Sequence, residues 1–119
     1  TLTTYKFSPT IPYTFSDFVY INSLAGVQAA EVMTSTVAYA DYGETNIATT
    51  TFSNSKTVIA GNWRTAAPPP GVSGVKTDRF YVIKDVAGNV YKLKFISYTS
   101  SDGGERGKPV IDYKLVRKA

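Results

Sequence analysis

The stretch that most constrains this fold is residues 79–98, RFYVIKDVAGNVYKLKFISY. β-Branched and aromatic residues dominate 80–85 and 90–98, which predicts two strands. Between them the VAGN segment at 86–89 predicts a turn, because Gly88 can adopt the positive φ that hairpin loops of this length require. The stretch is therefore predicted to form an antiparallel hairpin.

Alternation along the second strand predicts one buried face and one polar face, with Lys92 and Lys94 on the polar side. A further alternating run at 110–116, VIDYKLV, predicts a third strand after the polar, glycine-rich loop 99–109. The predicted core face of this three-stranded meander consists of Tyr91, Leu93, Phe95, Ile111, Tyr113 and Leu115.

The remaining segments favour strands and turns over helices. Strands are predicted, in chain order, over 3–8, 13–24, 31–39 and 56–63. Turn residues at 41–50 allow a single helical turn, and residues 25–33 leave helix and strand open. The three consecutive prolines within 64–78 predict a connector that cannot join a sheet. We expect an all-β fold, mostly antiparallel, with at most one short helix.

The composition excludes several chemistries. The chain has no cysteine and no histidine, so a disulfide framework, a thiolate nucleophile and a Ser-His-Asp triad are excluded. No apolar run reaches the length of a transmembrane helix. With 119 residues the chain is expected to form one β domain over 1–119, and its opening inside a strand-like sequence suggests a fragment of a longer exported precursor.

Charge and motif patterns offer little direct support for an enzyme or a nucleic-acid binder. Residues 76–119 hold ten bases and five acids, but the acids are interspersed, which is typical of a solvated sheet face. No P-loop, paired carboxylates or RNA-binding motif accompanies them. We therefore predict a non-enzymatic protein with no nucleic-acid partner.

Met33 is the only methionine. Such a residue usually fills a gap in a core, but a thioether can also ligate haem iron. In a chain without histidine, Met33 and the nearby Tyr39 and Tyr42 are the candidate axial ligands.

Residues 78–116 resemble the C-terminal part of the HmuY-like family, the haem-binding lipoproteins of the Bacteroidetes surface. The resemblance rests on FYVIKD, GNVYKLKF, GGERGKP and the final YKLV, in that order. A weaker resemblance extends upstream through FVYINSLAGVQAAEVMTSTVAYADYGETNIA and the NWR that precedes the proline loop.

The resemblance implies an all-β protein that acquires haem for its iron, located outside the cell or on the outer membrane and lipid-anchored in its precursor. Its partners would be haem or a host haemoprotein. The best-known members ligate haem through two histidines, whereas this chain would have to use Met33, Met33 with a tyrosine, or a residue outside the chain. By charge alone, Lys92, Lys94 and Arg106 are candidate contacts for haem propionates.

The sequence thus leaves two hypotheses. The first is a haem-acquisition protein with Met33, Tyr39 and Tyr42 near the iron. The alternative is a surface module of the same fold that has lost haem binding and contacts a protein or a glycan.

Overall fold

A computed structural model describes residues 2–6, 10, 14–65, 74–98 and 108–119. The all-β prediction is confirmed: a four-stranded antiparallel sheet forms the body of the described structure. Its strands are β3 (Gln28–Met33), β4 (Arg79–Lys84), β5 (Val90–Ser97) and β6 (Val110–Arg117), each beside its neighbour in sequence. Two further strands, β1 (Leu2–Lys6) and β2 (Thr14–Val19), pair with each other. The one α-helix among the described residues is the four-residue α1 (Glu44–Ile47).

The predicted hairpin is confirmed as β4 and β5. Its turn is closed by Asp85, whose carboxylate accepts from the Asn89 backbone at 2.9 Å and from the Asn89 amide at 2.8 Å. Gly88 has φ of +93°, the conformation for which the sequence predicts a glycine there. The predicted third strand also forms, as β6.

Three of the other predicted strands differ from the structure. The strand predicted over 13–24 ends at Val19, and Ser23–Ala25 form a 3-10 turn. The strand predicted over 31–39 begins earlier and ends at Met33, because the Met33 carbonyl accepts from both Thr36 and Val37 and turns the chain. Residues 56–63 form turns with one isolated bridge, Val19–Ala60, rather than a strand. Ala60 has φ of +39°, which a continuous strand cannot accommodate.

Segments outside the sheet cover both of its faces. On the side that we call the Trp63 face, Trp63 and Ile59 pack against Ala29, Tyr81 and Leu93. On the opposite side, the Tyr42 face, Tyr42 packs with the strand residues Phe80, Val82 and Val90. The sheet is therefore a central layer with apolar side chains on both faces.

The predicted core face is wrong at its edge. Leu93 is buried and Phe95 stacks on Trp63 with ring centres 4.3 Å apart, but Ile111, Tyr113 and Leu115 are 46%, 67% and 46% exposed. The covering segments, as far as they are described, lie over the middle of the sheet, so alternation alone overestimates burial on its outer strand.

Candidate functional site

A pocket of about 290 Å³ opens at one end of the sheet. The β4–β5 ladder runs from Tyr81–Leu93 to Lys84–Val90. Before Tyr81, β4 continues to pair with β3, while β5 beyond Leu93 continues to pair with β6. The two central strands therefore separate at this end, and the gap between them forms what we call the sheet-end pocket.

Aromatic rings supply much of the wall of the sheet-end pocket. Tyr39, Phe80 and Phe95 all line it. The rings of Tyr39 and Phe80 meet edge to face with centres 5.5 Å apart, and Phe95 is held from behind by its stacking on Trp63. The apolar part of the pocket is thus fixed by contacts with the core on both faces of the sheet.

Three cationic side chains, Lys76, Arg79 and Lys94, line the same pocket. Arg79 is held in place by Asp78, with Nε–Oδ1 and Nη2–Oδ2 distances of 2.9 and 3.2 Å, and by Glu31 at 3.4 Å. The hydrogen bond to Asp78 raises the pKa of the guanidinium and, in return, lowers the pKa of the Asp78 carboxyl. Lys94 lies 4.8 Å from the centre of the Tyr39 ring. The pocket therefore combines aromatic surface with positive charge.

The structure brings two of the sequence-predicted residues, Tyr39 and Lys94, together in this pocket. Met33 lies directly opposite Arg79 in the β3–β4 ladder and is followed by Thr34, which lines the pocket. Met33 is half-buried. Of the six residues that sequence reasoning associated with haem, Tyr39 and Lys94 thus line this pocket, and Met33 lies beside it without being part of its lining.

Tyr39 is held as a neutral phenol. Burial, and secondarily the negative charge of Asp112, raise its pKa, and its hydroxyl donates to the Asp112 carbonyl oxygen at 3.4 Å. A tyrosine binds ferric iron as a phenolate, so this environment disfavours Tyr39 as a ligand. The Met33 thioether carries no proton, so ligation requires no ionisation.

Tyr42 and Lys92 are buried on the Tyr42 face, outside the lining of the sheet-end pocket. Tyr42 is 3% exposed, and its hydroxyl lies 2.6 Å from the Thr50 hydroxyl. The sequence predicts Lys92 on a polar face, and that prediction is wrong, since the residue is 5% exposed. Its Nζ donates to the carbonyls of Tyr39, Ala40 and Tyr42 at 2.6, 3.3 and 2.8 Å. Arg106 lies outside the described residues.

A second cavity, of about 510 Å³, lies on the Trp63 face and is mostly apolar. We call it the apolar groove; Tyr20, Ile59, Leu93 and Ile111 are among its lining residues, and Lys108 supplies its cationic side chain. None of the sequence-predicted site residues lines it.

Sequence reasoning missed two polar pairs, of which the first is buried and the second is partly buried. Arg64 Nη2 donates to Asp17 Oδ1 at 2.7 Å, with side chains 5% and 0% exposed. The Tyr81 hydroxyl donates to Glu31 Oε2 at 2.9 Å. The sequence signal for the first was the single charged residue inside the mostly apolar 13–24 run, but its basic partner is 47 residues away.

Two kinds of feature are absent from the described parts of the chain. No group of three or more His, Cys, Asp or Glu side chains there could hold a metal ion. Neither α1 nor the 3-10 turn Ser23–Ala25, the two helical segments in those parts, has the length and apolarity of a membrane-spanning helix.

Comparison with known proteins identifies one family. A family model described as HmuY protein matches residues 6–113, which is most of the chain. No curated protein and no solved structure matches the sequence.

Proposed function

The chain belongs to the HmuY protein family, and from that membership we propose that it is a non-enzymatic protein that binds haem or a closely related porphyrin. We propose that it acts outside the cell or on the outer-membrane surface, lipid-anchored in its precursor, where it takes haem for its iron, either free or from a host haemoprotein.

The observation that carries the proposal is the pairing of aromatic walls with three cationic side chains in the sheet-end pocket. Haem is a flat apolar ring with two carboxylate-bearing arms, so a site for it needs both kinds of surface. Lys76 and Lys94 are the residues that we assign to the carboxylates, since Arg79 is already engaged by Asp78 and Glu31.

The pocket fits only part of such a ligand. At about 290 Å³ its volume is just below the usual range for small-molecule sites, so a porphyrin would project beyond it. The apolar groove is larger, but only Lys108 among its lining residues is cationic. Charge therefore favours the sheet-end pocket.

We assign Met33 as the iron ligand contributed by this chain. Its sulfur needs no deprotonation, whereas the pKa of Tyr39 is raised by burial. A bound haem would supply the iron and the absorbance, while the protein side chains bind and orient it. Tyr39 then serves as an aromatic wall, and Tyr42 as part of the supporting core.

A hemin titration followed by visible absorbance tests the proposal, on the native chain, Met33→Leu and Tyr39→Phe. Met33→Leu removes the sulfur but nearly keeps the volume, and Tyr113→Phe, on exposed β6, is the control for loss of a tyrosine hydroxyl. We expect a saturable Soret shift that is weakened and displaced in Met33→Leu and nearly unchanged in Tyr39→Phe and Tyr113→Phe.

The titration is repeated with the iron reduced. A thioether is a soft ligand that favours ferrous iron, so the difference between native and Met33→Leu should be larger after reduction. A native chain with no more Soret shift than an unrelated protein would contradict haem binding and favour the interaction module instead. A shift that Met33→Leu leaves intact would move the ligand elsewhere.

A further inference from the structure

The outer strand of the sheet, β6, offers an open edge. The strand order is β3-β4-β5-β6, so in the described part of the chain no strand lies on the far side of β6. Its eight residues contain no proline, which would remove a backbone donor from the edge, and its pairing with β5 is regular from Ile111 to Leu115. Such an edge presents unpaired backbone groups to another strand.

The side chains of β6 add an apolar row to that edge. Ile111, Tyr113 and Leu115 alternate on the Trp63 side of the sheet and are 46%, 67% and 46% exposed. Between them, on the other side, lie Asp112 and Lys114, both exposed. The strand thus has one apolar face and one charged face at the boundary of the fold.

The order of residues in β6 is self-complementary about Tyr113. In an antiparallel pair of identical strands, two residues that face each other have their side chains on the same side of the sheet. The two-fold axis that relates the strands must therefore pass through a residue position, and not midway between two consecutive residues. An axis at Tyr113 places Ile111 opposite Leu115 of a second copy. It also places Asp112 of each copy opposite Lys114 of the other copy, which gives two pairs of opposite charge.

Neighbouring registers lack this match. An axis at Asp112 would put two aspartates face to face, and an axis at Lys114 would put two lysines face to face. Like charges directly opposite one another destabilise a strand pair, whereas opposite charges stabilise it. Charge therefore selects the Tyr113-centred register among the three central choices.

We propose that β6 pairs antiparallel with β6 of a second copy of this chain, about an axis at Tyr113, so that two four-stranded sheets join edge to edge. Within one protomer, Lys94 faces Asp112 and Lys92 faces Lys114. Pairing would give Lys114 an acidic neighbour on its other side, which offsets the repulsion from Lys92.

One intramolecular contact touches this edge. The Tyr39 hydroxyl donates to the Asp112 carbonyl oxygen at 3.4 Å, the long end of a hydrogen bond. A carbonyl oxygen accepts two hydrogen bonds, so this contact is compatible with strand pairing. The proposal does not depend on haem, and all its tests are run without hemin.

Sedimentation velocity over a concentration series tests the association. The interface is small, so we expect a reversible, concentration-dependent dimer. In Lys114→Asp, acids would face acids across the axis, while the new carboxylate would sit opposite Lys92 and so leave the protomer intact. We expect at least about a tenfold weaker dimer for this variant, and similarly for Asp112→Lys.

Mixing the two variants separates loss of pairing from loss of folding. Asp112→Lys carries lysine at both positions 112 and 114, and Lys114→Asp carries aspartate at both. Each lysine of one variant would face an aspartate of the other, so the mixture should form a heterodimer although neither variant self-associates. A native chain that is monomeric at every concentration would overturn the proposal. So would a dimer that both substitutions leave unchanged.

A cysteine scan tests the register, because the native chain has no cysteine. Facing residues in antiparallel strands have Cα atoms about 4.5–5.5 Å apart, within the range that a disulfide spans. Tyr113→Cys should therefore give a disulfide-linked dimer on mild oxidation, and Leu24→Cys, at a fully exposed site distant in sequence, should give much less. Equal cross-linking of the two variants would overturn the register.

Discussion

Lys92 links the middle of the sheet to residues 39–42 by hydrogen bonds. Its Nζ donates to the Tyr39 carbonyl at 2.6 Å and lies 4.9 Å from the centre of the Tyr39 ring. Two further carbonyls, of Ala40 and Tyr42, complete the set of acceptors. A lysine has three N–H donors and no acceptor, so this one is fully engaged in holding the segment that forms one wall of the sheet-end pocket.

Lys92→Met should therefore lower stability by about 2–3 kcal/mol, because three carbonyls, of which that of Tyr42 is buried, lose a charged donor. Burial, and secondarily the charge of Lys114, lower the pKa of Lys92, but the amine remains the donor that the three carbonyls require. Urea unfolding measures the loss. Lys118→Met, at an exposed position, is the control and should change stability by less than about 0.5 kcal/mol. Equal losses of stability in Lys92→Met and Lys118→Met would refute this role for Lys92.

The buried Asp17–Arg64 pair predicts a larger effect. Asp17→Asn removes the carboxylate that faces the guanidinium at 2.7 Å and should destabilise the fold by about 3–5 kcal/mol. The bond from Trp63 Nε1 to the Asp17 backbone carbonyl, at 3.2 Å, should survive.

Asp17→Asn combined with Arg64→Met provides the internal check. Removing both charges leaves neither one buried without its counter-charge, so the double variant should unfold at higher urea concentration than Asp17→Asn alone. If the double variant were the less stable of the two, the ion pair would not be the source of the loss.

Tyr81 makes stability depend on alkaline pH. Burial, followed by the charge of Glu31 and the hydrogen bond to it, raises the pKa of Tyr81 well above 10. The unfolded chain ionises this phenol near pH 10 and the folded chain does not, so the stability it contributes is present below that pH and is lost as pH rises above it.

Tyr81→Phe should cost about 1 kcal/mol at pH 8 through the lost hydrogen bond. Between pH 8 and pH 11 the variant should lose less stability than the native chain. The difference between their free energies of unfolding should therefore become smaller. Urea unfolding at the two pH values measures this, and shared effects of other groups cancel in the comparison. A difference that widened with pH would contradict the assigned pKa direction.

Lys94 and Lys108 form a matched pair of lysines that discriminates between the two cavities. Lys94 lines the sheet-end pocket and Lys108 the apolar groove. If haem carboxylates meet the sheet-end pocket, Lys94→Met should weaken hemin binding about 3- to 10-fold, with a reduced salt dependence, and Lys108→Met should change it little. The reverse ranking would place the porphyrin in the groove.

Local patterns in the sequence were sufficient for the strands that are most regular. The alternation in 90–98 and the Gly88 turn predicted the hairpin because both depend on neighbouring residues alone. The short helix at Glu44–Ile47 lies inside a turn-rich segment for which the sequence allows a single helical turn. Met33, Tyr39 and Lys94 are candidates from residue chemistry, but their grouping was not predictable, since it depends on where β4 and β5 separate.

Strand periodicity, turn chemistry and membership of the HmuY family can be read from the sequence alone, because residue type and order carry them. Which side chains are buried depends instead on how distant segments pack in three dimensions. Lys92 is enclosed because the 39–42 segment folds over it and turns three carbonyls inward, whereas Tyr113, predicted in the core, lies 67% exposed on the outermost strand. Burial depends on what packs against a strand, and those segments are distant in sequence.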